Sequence, residues 1–224
     1  INVDFSKKPF IIHSNDNQYQ TKSVIIATGS SAKWLGLASE KELIGKGVSA
    51  CAVCDGAFFK DKDIMVIGGG DTAMREAIFL TKYAKSVKVI HRRDKLRAFP
   101  VLQDRAFANK KISFVWDTIV KEFLGKEKLE GVNAENLKTG KTSKIKCQGA
   151  FVAIGHKPNT DFLKGHLNLD EKGYLITINE VKTNVSGVFA AGDVQDIKYK
   201  QASTASGSGT KAALEVNEYL ENKD

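Results

Sequence analysis

The sequence has 224 residues, with 34 Lys and Arg against 26 Asp and Glu, and a formal net charge of +8. Its 42% hydrophobic content is enough for a substantial core, and no apolar run approaches the roughly 20 residues of a membrane-spanning helix. The lysines are interspersed with acidic residues, so we expect neither nucleic acid nor a membrane as a partner. The chain begins at Ile1 without a signal-peptide pattern, and we expect a cytoplasmic protein.

Apolar periodicity divides the chain into alternating strands and helices. In chain order it predicts strands at 22–29 and 63–68, a helix at 71–83, a strand at 86–90, a helix at 101–109, a strand at 112–115, a β-meander at 118–123, 129–134 and 143–147, strands at 150–154 and 187–191, and a closing helix at 204–220. This alternation is typical of an α/β fold with parallel sheets.

A glycine-rich turn joins the strand at 63–68 to the helix that follows. Gly68, Gly70 and Ala73 fit the pattern G-x-G-x-x-A, in which glycines permit a tight turn and the close approach of a pyrophosphate. Asp71 and Thr72 then begin the helix, whose amino end supplies N–H groups to an anion. A purely structural turn is the alternative, but the strand–turn–helix context favours a dinucleotide.

The end of the next strand indicates which dinucleotide binds. An NAD site would place an acidic residue about 20 positions after the glycines, whereas this sequence has His91, Arg92 and Arg93, with Arg97 following. Guanidinium groups can bind a 2′-phosphate with paired, charge-assisted hydrogen bonds. A solvated basic loop is the alternative; we predict NADPH.

Cys51 and Cys54 form a C-x-x-C motif, and Asp55 follows it directly. Two sulfurs at this spacing can form a reducible disulfide, and Asp55 is placed to exchange protons with them. A zinc site is the alternative, but the sequence has no second pair of ligands at metal spacing. The third cysteine, Cys147, is predicted to be a buried core thiol.

Two strand endings resemble each other, at 24–29 and 151–155, which indicates two dinucleotide-binding units. The second closes the unit opened by Gly68. The first closes a unit whose own glycine-rich opening lies outside this sequence, and we expect about 80–120 residues to be missing there. Asp193, which follows the strand at 187–191, is either a cofactor ligand at a strand end or a simple helix cap.

The order of these motifs resembles that of low-molecular-weight thioredoxin reductases, and the likeness extends over essentially the whole chain. The matching segments are ATG at 27–29, CAVCDG at 51–56, GGGDTA at 68–73, HRR at 91–93 with Arg97, FVAIGHKPNT at 151–160, GVFAAGDV at 187–194 and KQA at 200–202. The position of C-x-x-C just before the glycine-rich loop is specific to this family among flavoproteins with two dinucleotide sites.

The resemblance implies two Rossmann-like, three-layer α/β domains. An FAD-binding domain, discontinuous and truncated at its amino end, would comprise 1–29 and 157–224, and an NADPH-binding domain would comprise 30–156. The implied FAD ligands are Thr28, Gly29, Asp193, Val194, Gln201 and Ala202. The implied NADPH ligands are Gly68, Gly70, Asp71, Thr72, Ala73, His91, Arg92, Arg93 and Arg97.

The resemblance also implies a reaction. Electrons would pass from NADPH through FAD to the Cys51–Cys54 pair and then to the disulfide of thioredoxin. Cys51 would attack the partner, Cys54 would face the flavin, Asp55 would be the acid/base, and the protein would be a homodimer. The alternatives are the reductase component of a peroxide-reducing system and an inactive NADPH-binding module. Two departures from the family pattern stand out: Arg75 replaces an acidic residue, and Lys200 replaces an arginine.

Overall fold

A computed structural model describes residues 2–222, which divide into two compact units. We call Ala32–Gly155 the central unit, and the segments 2–31 and 156–222 together the terminal unit. The unit boundaries lie within two residues of the domain boundaries expected from the sequence. The assignment of one cofactor to each domain stays a prediction.

The elements are as follows. The strands are β1 Asn2–Asp4, β2 Phe10–Ser14, β3 Asn17–Thr21, β4 Val24–Ile26, β5 Ser30–Ala32, β6 Val48–Ser49, β7 Asp63–Ile67, β8 Ser86–Ile90, β9 Ile112–Val115, β10 Thr118–Leu124, β11 Gly131–Asn136, β12 Thr142–Lys146, β13 Gly149–Val152, β14 His156–Pro158 and β15 Val188–Ala190. The helices are α1 Ala38–Leu43, α2 Ala52–Asp55, α3 Asp71–Leu80, α4 Pro100–Phe107 and α5 Ala202–Glu221, with 3₁₀ turns at Gly56–Phe59, Asp161–Leu163 and Gly192–Val194.

The central unit is built on a five-stranded parallel sheet in the order β6-β13-β7-β8-β9. Successive side chains of a strand point to opposite faces. In β7, Ile64 and Val66 therefore pack with α3 and α4 in one cluster. Met65 and Ile67 pack in a second cluster with the antiparallel meander β10-β11-β12. Both faces of the sheet are covered, as expected for a three-layer α/β unit.

The helix α3 follows the glycine-rich turn because its apolar residues recur at helical spacing. Ala73, Met74, Ala77 and Leu80 are all fully buried against the sheet. The helix ends at Leu80, three residues before the predicted end. The N–H groups of Lys82 and Tyr83 bond three residues back, to Phe79 and Leu80, so the last turn tightens into 3₁₀ geometry.

The terminal unit contains an antiparallel sheet β1-β2-β3, a parallel pair β4-β15, the pair β5-β14 and the long helix α5. Its main cluster of buried side chains includes Phe10, Ile26, Leu163 and Val188. The sequence did not predict β1–β3. Within residues 2–222, no helix is both long and apolar enough to cross a membrane.

Candidate active site

Several predicted site residues lie at one edge of the central sheet. Because β6, β7, β8 and β13 run parallel, their carboxyl ends meet at the same edge. The C-x-x-C motif follows β6, the glycine-rich turn follows β7, and His91 follows β8. Open α/β sheets bind ligands at this edge. The redox pair and the dinucleotide loop are thus brought together, with only β13 between their strands.

The glycine-rich turn is packed tightly on its inner side. A Cβ on Gly68 would lie 2.4 Å from the Ala153 carbonyl oxygen, and one on Gly69 would lie 2.4 Å from ring atoms of His91. A Cβ on Gly70 would meet nothing within 4 Å. The first two glycines are therefore required by their neighbours, whereas Gly70 leaves open space at the amino end of α3. An anion can approach the backbone there.

Two hydrogen bonds attach the basic loop that follows β8 to the glycine-rich turn. The Arg97 N–H donates to the Gly69 carbonyl (2.7 Å), and the Phe99 N–H donates to Asp71 Oδ1 (2.7 Å). His91 is only 4% exposed, and its Nε2 lies 3.1 Å from the Lys95 carbonyl oxygen. His91 therefore supports the loop from beneath. Its pKa is lowered by burial and by the nearby positive charges of Arg97, Arg93 and Arg92.

A cleft of about 410 Å³ opens beside this loop. The glycine-rich turn, Asp71, Thr72, His91, Arg92 and Arg97 line it. Arg93 is exposed but is not among the lining residues, and Ala73 is fully buried beneath the turn. Ala73 was implied as an NADPH ligand, but its burial indicates that it contributes by letting the helix and strand pack closely.

Cys51 and Cys54 are joined in a disulfide, with their Cα atoms 5.3 Å apart. Between them Ala52 is 1% exposed and packs into the core beside α3, which fixes the short helix α2. The Cys54 N–H donates to Cys51 Sγ (3.2 Å). Cys54 is exposed and Cys51 is half-buried, so an approaching reactant can reach the pair.

Ser49 is a site residue that the sequence reasoning missed. Its hydroxyl donates to Asp55 Oδ2 (2.6 Å) and accepts from the Cys51 N–H (3.0 Å). Ser49 is 7% exposed, so both hydrogen bonds are largely shielded from water. The carboxylate of Asp55 is therefore held beside the backbone of the redox pair. A serine at the end of a strand is common, and only the fold reveals this contact.

Cys147 lies apart from the redox pair. It is 4% exposed, and burial raises the pKa of its thiol to about 12. The prediction of a buried core thiol is confirmed, and a thiol with so high a pKa is a poor nucleophile at neutral pH.

In the terminal unit, two turns follow the paired strands β4 and β15. The Thr28 hydroxyl donates to the Asn159 carbonyl (2.8 Å), and the Asn159 N–H donates to the Gly29 carbonyl (3.0 Å). Next to Gly29, the buried Ser30 Oγ has no hydrogen-bond partner among the described residues. Since β4 and β15 are parallel, this turn lies at the same edge as the turn after β15.

The turn after β15 contains Asp193, which is half-buried. Burial raises the pKa of its carboxyl, and the neighbouring Asp196 raises it further. Gly192 adopts φ +77°, and its N–H donates to Ser208 Oγ (2.7 Å) in α5. Val194 is fully buried, and the Oε1 of Gln195 is buried without a partner among residues 2–222.

The remaining candidate residues lie at the beginning of α5. Gln201 precedes the helix, its N–H donates to Thr204 Oγ1 (3.3 Å), and Ala202 is the first helical residue. Lys200, one of the two departures from the family pattern, has a backbone φ of +50° and donates its N–H to Asp196 Oδ2 (3.0 Å). Arg75, the other departure, is exposed on α3.

A sequence model of the pyridine nucleotide-disulphide oxidoreductases matches residues 1–209. The chain therefore belongs to this family. The thioredoxin reductase of Rickettsia felis is 51% identical over 223 residues, an alignment that covers 97% of this chain and 72% of that protein. The thioredoxin reductase of Streptomyces coelicolor is 54% identical over 203 residues, or 90% of this chain and 63% of that protein.

Solved structures agree with these relatives. The crystal structure of thioredoxin reductase from Streptococcus pyogenes has a TM-score of 0.93 at 44% identity, and covers 99% of this chain and 72% of that chain. The enzyme from Giardia duodenalis has a TM-score of 0.91 at 42% identity, with 98% and 73% covered. Within the family, the chain thus groups with the thioredoxin reductases. The resemblance seen in the sequence and the predicted α/β fold class are confirmed.

Proposed function

We propose that this protein passes electrons from NADPH through FAD to the Cys51–Cys54 disulfide and then to the disulfide of thioredoxin. The observation that carries this proposal is the position of the redox pair. Its disulfide lies at the same sheet edge as the glycine-rich turn and the arginine-bearing loop. The thioredoxin reductases similar to this chain supply the identity of the partner.

NADPH fits the cleft of the central unit. The open space above Gly70 and the amino end of α3 suit a pyrophosphate. Arg92 and Arg97 line the cleft, and within residues 2–222 neither forms an ion pair, so both are available to a 2′-phosphate.

The two turns of the terminal unit carry polar groups that suit FAD. Ser30 Oγ and Gln195 Oε1 are buried polar atoms that need partners, and each lies close in sequence to a predicted FAD ligand. Asp193 offers a carboxylate, and the Gln201–Ala202 end of α5 offers helix N–H groups. When bound, FAD would supply two-electron transfer between nicotinamide and disulfide.

The protein's own residues account for the disulfide chemistry. Two electrons break the Cys51–Cys54 bond, and Asp55, oriented by Ser49, holds the proton that one sulfur gains. The thiolate of Cys51 then attacks the thioredoxin disulfide and forms a mixed disulfide. Cys54 next attacks Cys51, which reforms the internal bond and releases thioredoxin as a dithiol. Thioredoxin leaves with two electrons and two protons, one proton passed from Cys54 through Asp55 and the other taken from solvent.

The test is to replace Cys51 or Cys54 by Ser in the FAD-loaded protein and to follow NADPH oxidation with thioredoxin present. We expect each variant to lose thioredoxin-coupled turnover by at least about a thousandfold, because the relay needs both sulfurs. NADPH should still bleach the flavin absorbance. Cys147→Ser, which alters a thiol outside the relay, serves as the matched control and should keep turnover near that of the wild type.

Two results would contradict the proposal. Thioredoxin reduction at the wild-type rate by Cys51→Ser or Cys54→Ser would remove the redox pair from the reaction. A wild-type protein that binds NADPH but takes up no FAD would instead be an inactive NADPH-binding module. The absorbance spectrum of the purified protein, with its flavin bands, distinguishes this second outcome from the first.

A further inference from the structure

A cluster of three charged side chains joins the basic loop of the central unit to the meander. Lys138 Nζ is 3.2 Å from Asp94 Oδ2 and 3.0 Å from Asp117 Oδ2. We propose that Lys138 is a positioning residue that favours 2′-phosphorylated dinucleotides by holding the Asp94 carboxylate and balancing its charge. This inference rests on the proposed function, since it concerns the same NADPH cleft.

Asp94 would otherwise oppose the cofactor. It directly follows Arg92 and Arg93, in the loop that we assign to the 2′-phosphate. A phosphate monoester carries close to two negative charges at neutral pH, so a free carboxylate in this loop would repel it. The hydrogen bond and charge of Lys138 lower the pKa of Asp94, so that its negative charge persists and stays paired.

The backbone around Lys138 is arranged to keep the lysine in this place. Asn136 Oδ1 accepts the N–H groups of Lys138 (3.1 Å) and Thr139 (3.0 Å), which fixes the turn between β11 and β12. The Leu137 N–H donates to the Asp117 carbonyl (2.6 Å). The meander thus presents Lys138 from an ordered turn.

The same cluster is attached to the basic loop itself. The Asp117 N–H donates to the Arg93 carbonyl (3.3 Å), so Asp117 contacts both the loop backbone and Lys138. Asp117 is only 17% exposed, whereas Lys138 and Asp94 are about 60% exposed. Asp117 is therefore the sheltered partner of Lys138, whereas the pair between Lys138 and Asp94 is open to screening by salt.

The charge distribution that results is asymmetric. Within residues 2–222, Arg92, Arg93 and Arg97 form no ion pair, while the one acidic side chain between Arg92 and Arg97 is occupied by Lys138. Arg92 and Arg97, which line the cleft, are therefore left with uncompensated positive charges. A dinucleotide with a 2′-phosphate gains from this asymmetry, and one with a 2′-hydroxyl does not.

The experiment compares NADP⁺ and NAD⁺ binding to the full chain by calorimetric titration at low and high salt. For Lys138→Met we expect the dissociation constant of NADP⁺ to rise about two- to fivefold, the range of an exposed pair, and that of NAD⁺ to stay unchanged. The NADP⁺ effect should shrink at high salt. Lys144→Met removes the same charge from an exposed lysine of the same meander, one that forms no ion pair within residues 2–222, and should alter neither constant.

A double-mutant cycle with Asp94→Asn identifies the cause. In the Asp94→Asn background, Lys138→Met should affect NADP⁺ binding much less, because the basic loop no longer has a carboxylate to balance and only Asp117 remains beside the lysine. An equal loss of NADP⁺ and NAD⁺ affinity, or the same loss in both backgrounds, would overturn the proposal. So would unchanged NADP⁺ binding in Lys138→Met. If the wild type itself binds NADP⁺ no tighter than NAD⁺, the 2′-phosphate assignment of the proposed function fails, and this inference fails with it.

Discussion

The two units of the molecule each carry a glycine turn after a buried parallel strand, but the turns are built differently. In the central unit, side chains on Gly68 and Gly69 would collide with Ala153 and His91 at 2.4 Å. In the terminal unit, a Cβ on Gly192 would make only an ordinary contact of 3.5 Å with Ala205, although φ is +77°. The first turn requires glycine because of its neighbours, and the second only because of its backbone conformation.

The units also differ in how far burial perturbs an acidic group. Burial raises the pKa of Glu76 on α3 to about 8, and its Oε2 is buried without a hydrogen-bond partner among the described residues. Asp193 in the terminal turn is raised as well, but by a smaller shift for which Asp196 is a second cause. In the central unit, burial therefore acts against the ionised form of Glu76, which lowers stability at high pH.

The largest effect should come from Gly69→Ala. The new Cβ must displace the His91 ring, which supports the loop and is 4% exposed, so we expect destabilisation of about 1–3 kcal/mol. NADP⁺ affinity should fall at least about a hundredfold, because the loop and the cleft move together. Thermal unfolding and calorimetric titration measure the two effects.

Gly70→Ala provides the matched comparison for this prediction. Its Cβ would meet nothing within 4 Å, so the thermal midpoint should stay near that of the wild type. NADP⁺ binding should still weaken, because the methyl group projects into the space assigned to the pyrophosphate. If Gly69→Ala unfolds at the wild-type temperature, the neighbours of the central turn do not exclude a side chain. The central and terminal turns would then not differ in why they require glycine.

An intermediate effect is expected from Glu76→Gln. The pKa of Glu76 in the folded protein, about 8, lies above its value of 4.5 in the unfolded chain, so the native state binds the extra proton between these values. Wild-type stability should therefore be highest below about pH 4.5, as far as this group is concerned, and decline as the pH rises to about 8. Between pH 6 and pH 8 the decline in the free energy of unfolding should be on the order of 2 kcal/mol.

Glutamine has the same shape and no charge to lose, so the variant should lack this decline. Urea unfolding at pH 6 and pH 8 gives the measurement, and the variant's advantage should be greater at pH 8. Glu122→Gln, at an exposed position of β10, is a control that should leave the pH dependence unchanged. If the free energy of unfolding depends on pH equally in wild type and Glu76→Gln, burial of Glu76 does not destabilise the central unit.

The sequence predicted the segments in which local signals agree. The strand β7, the glycine-rich turn and the start of α3 were located correctly, because apolar alternation, the glycines and helical periodicity all occur within 20 residues. The sheet β1–β3 was missed. Its strands have three to five residues, β3 is almost entirely exposed, and pairing between strands stabilises them more than any pattern within one strand.

The candidate site follows the same rule. Cys51, Cys54, Asp55 and the arginines are evident from their chemistry and spacing. Ser49 and Lys138 are not, because their roles depend on partners that the fold brings to them, including one 44 residues away in the case of Lys138. For His91, the sequence indicated a role in the site but not its role in supporting the fold. His91 was expected among the cofactor ligands and does line the cleft, but its buried ring also supports Gly69, a second role that the sequence did not indicate.

The smallest effect should come from Gly192→Ala in the terminal unit. Its Cβ is accommodated, so only the positive φ opposes the change, and we expect a loss of about 1–2 kcal/mol. Gly207→Ala in the interior of α5 is the matched control, since its Cβ meets nothing within 4 Å and alanine favours a helix. That variant should be stabilised by about 0.5–1 kcal/mol. The two changes have opposite signs, so unfolding midpoints in urea distinguish backbone conformation from packing. If Gly192→Ala destabilised the protein as much as Gly69→Ala, neighbouring atoms would exclude a side chain from the terminal turn too. The two turns would then require glycine for the same reason.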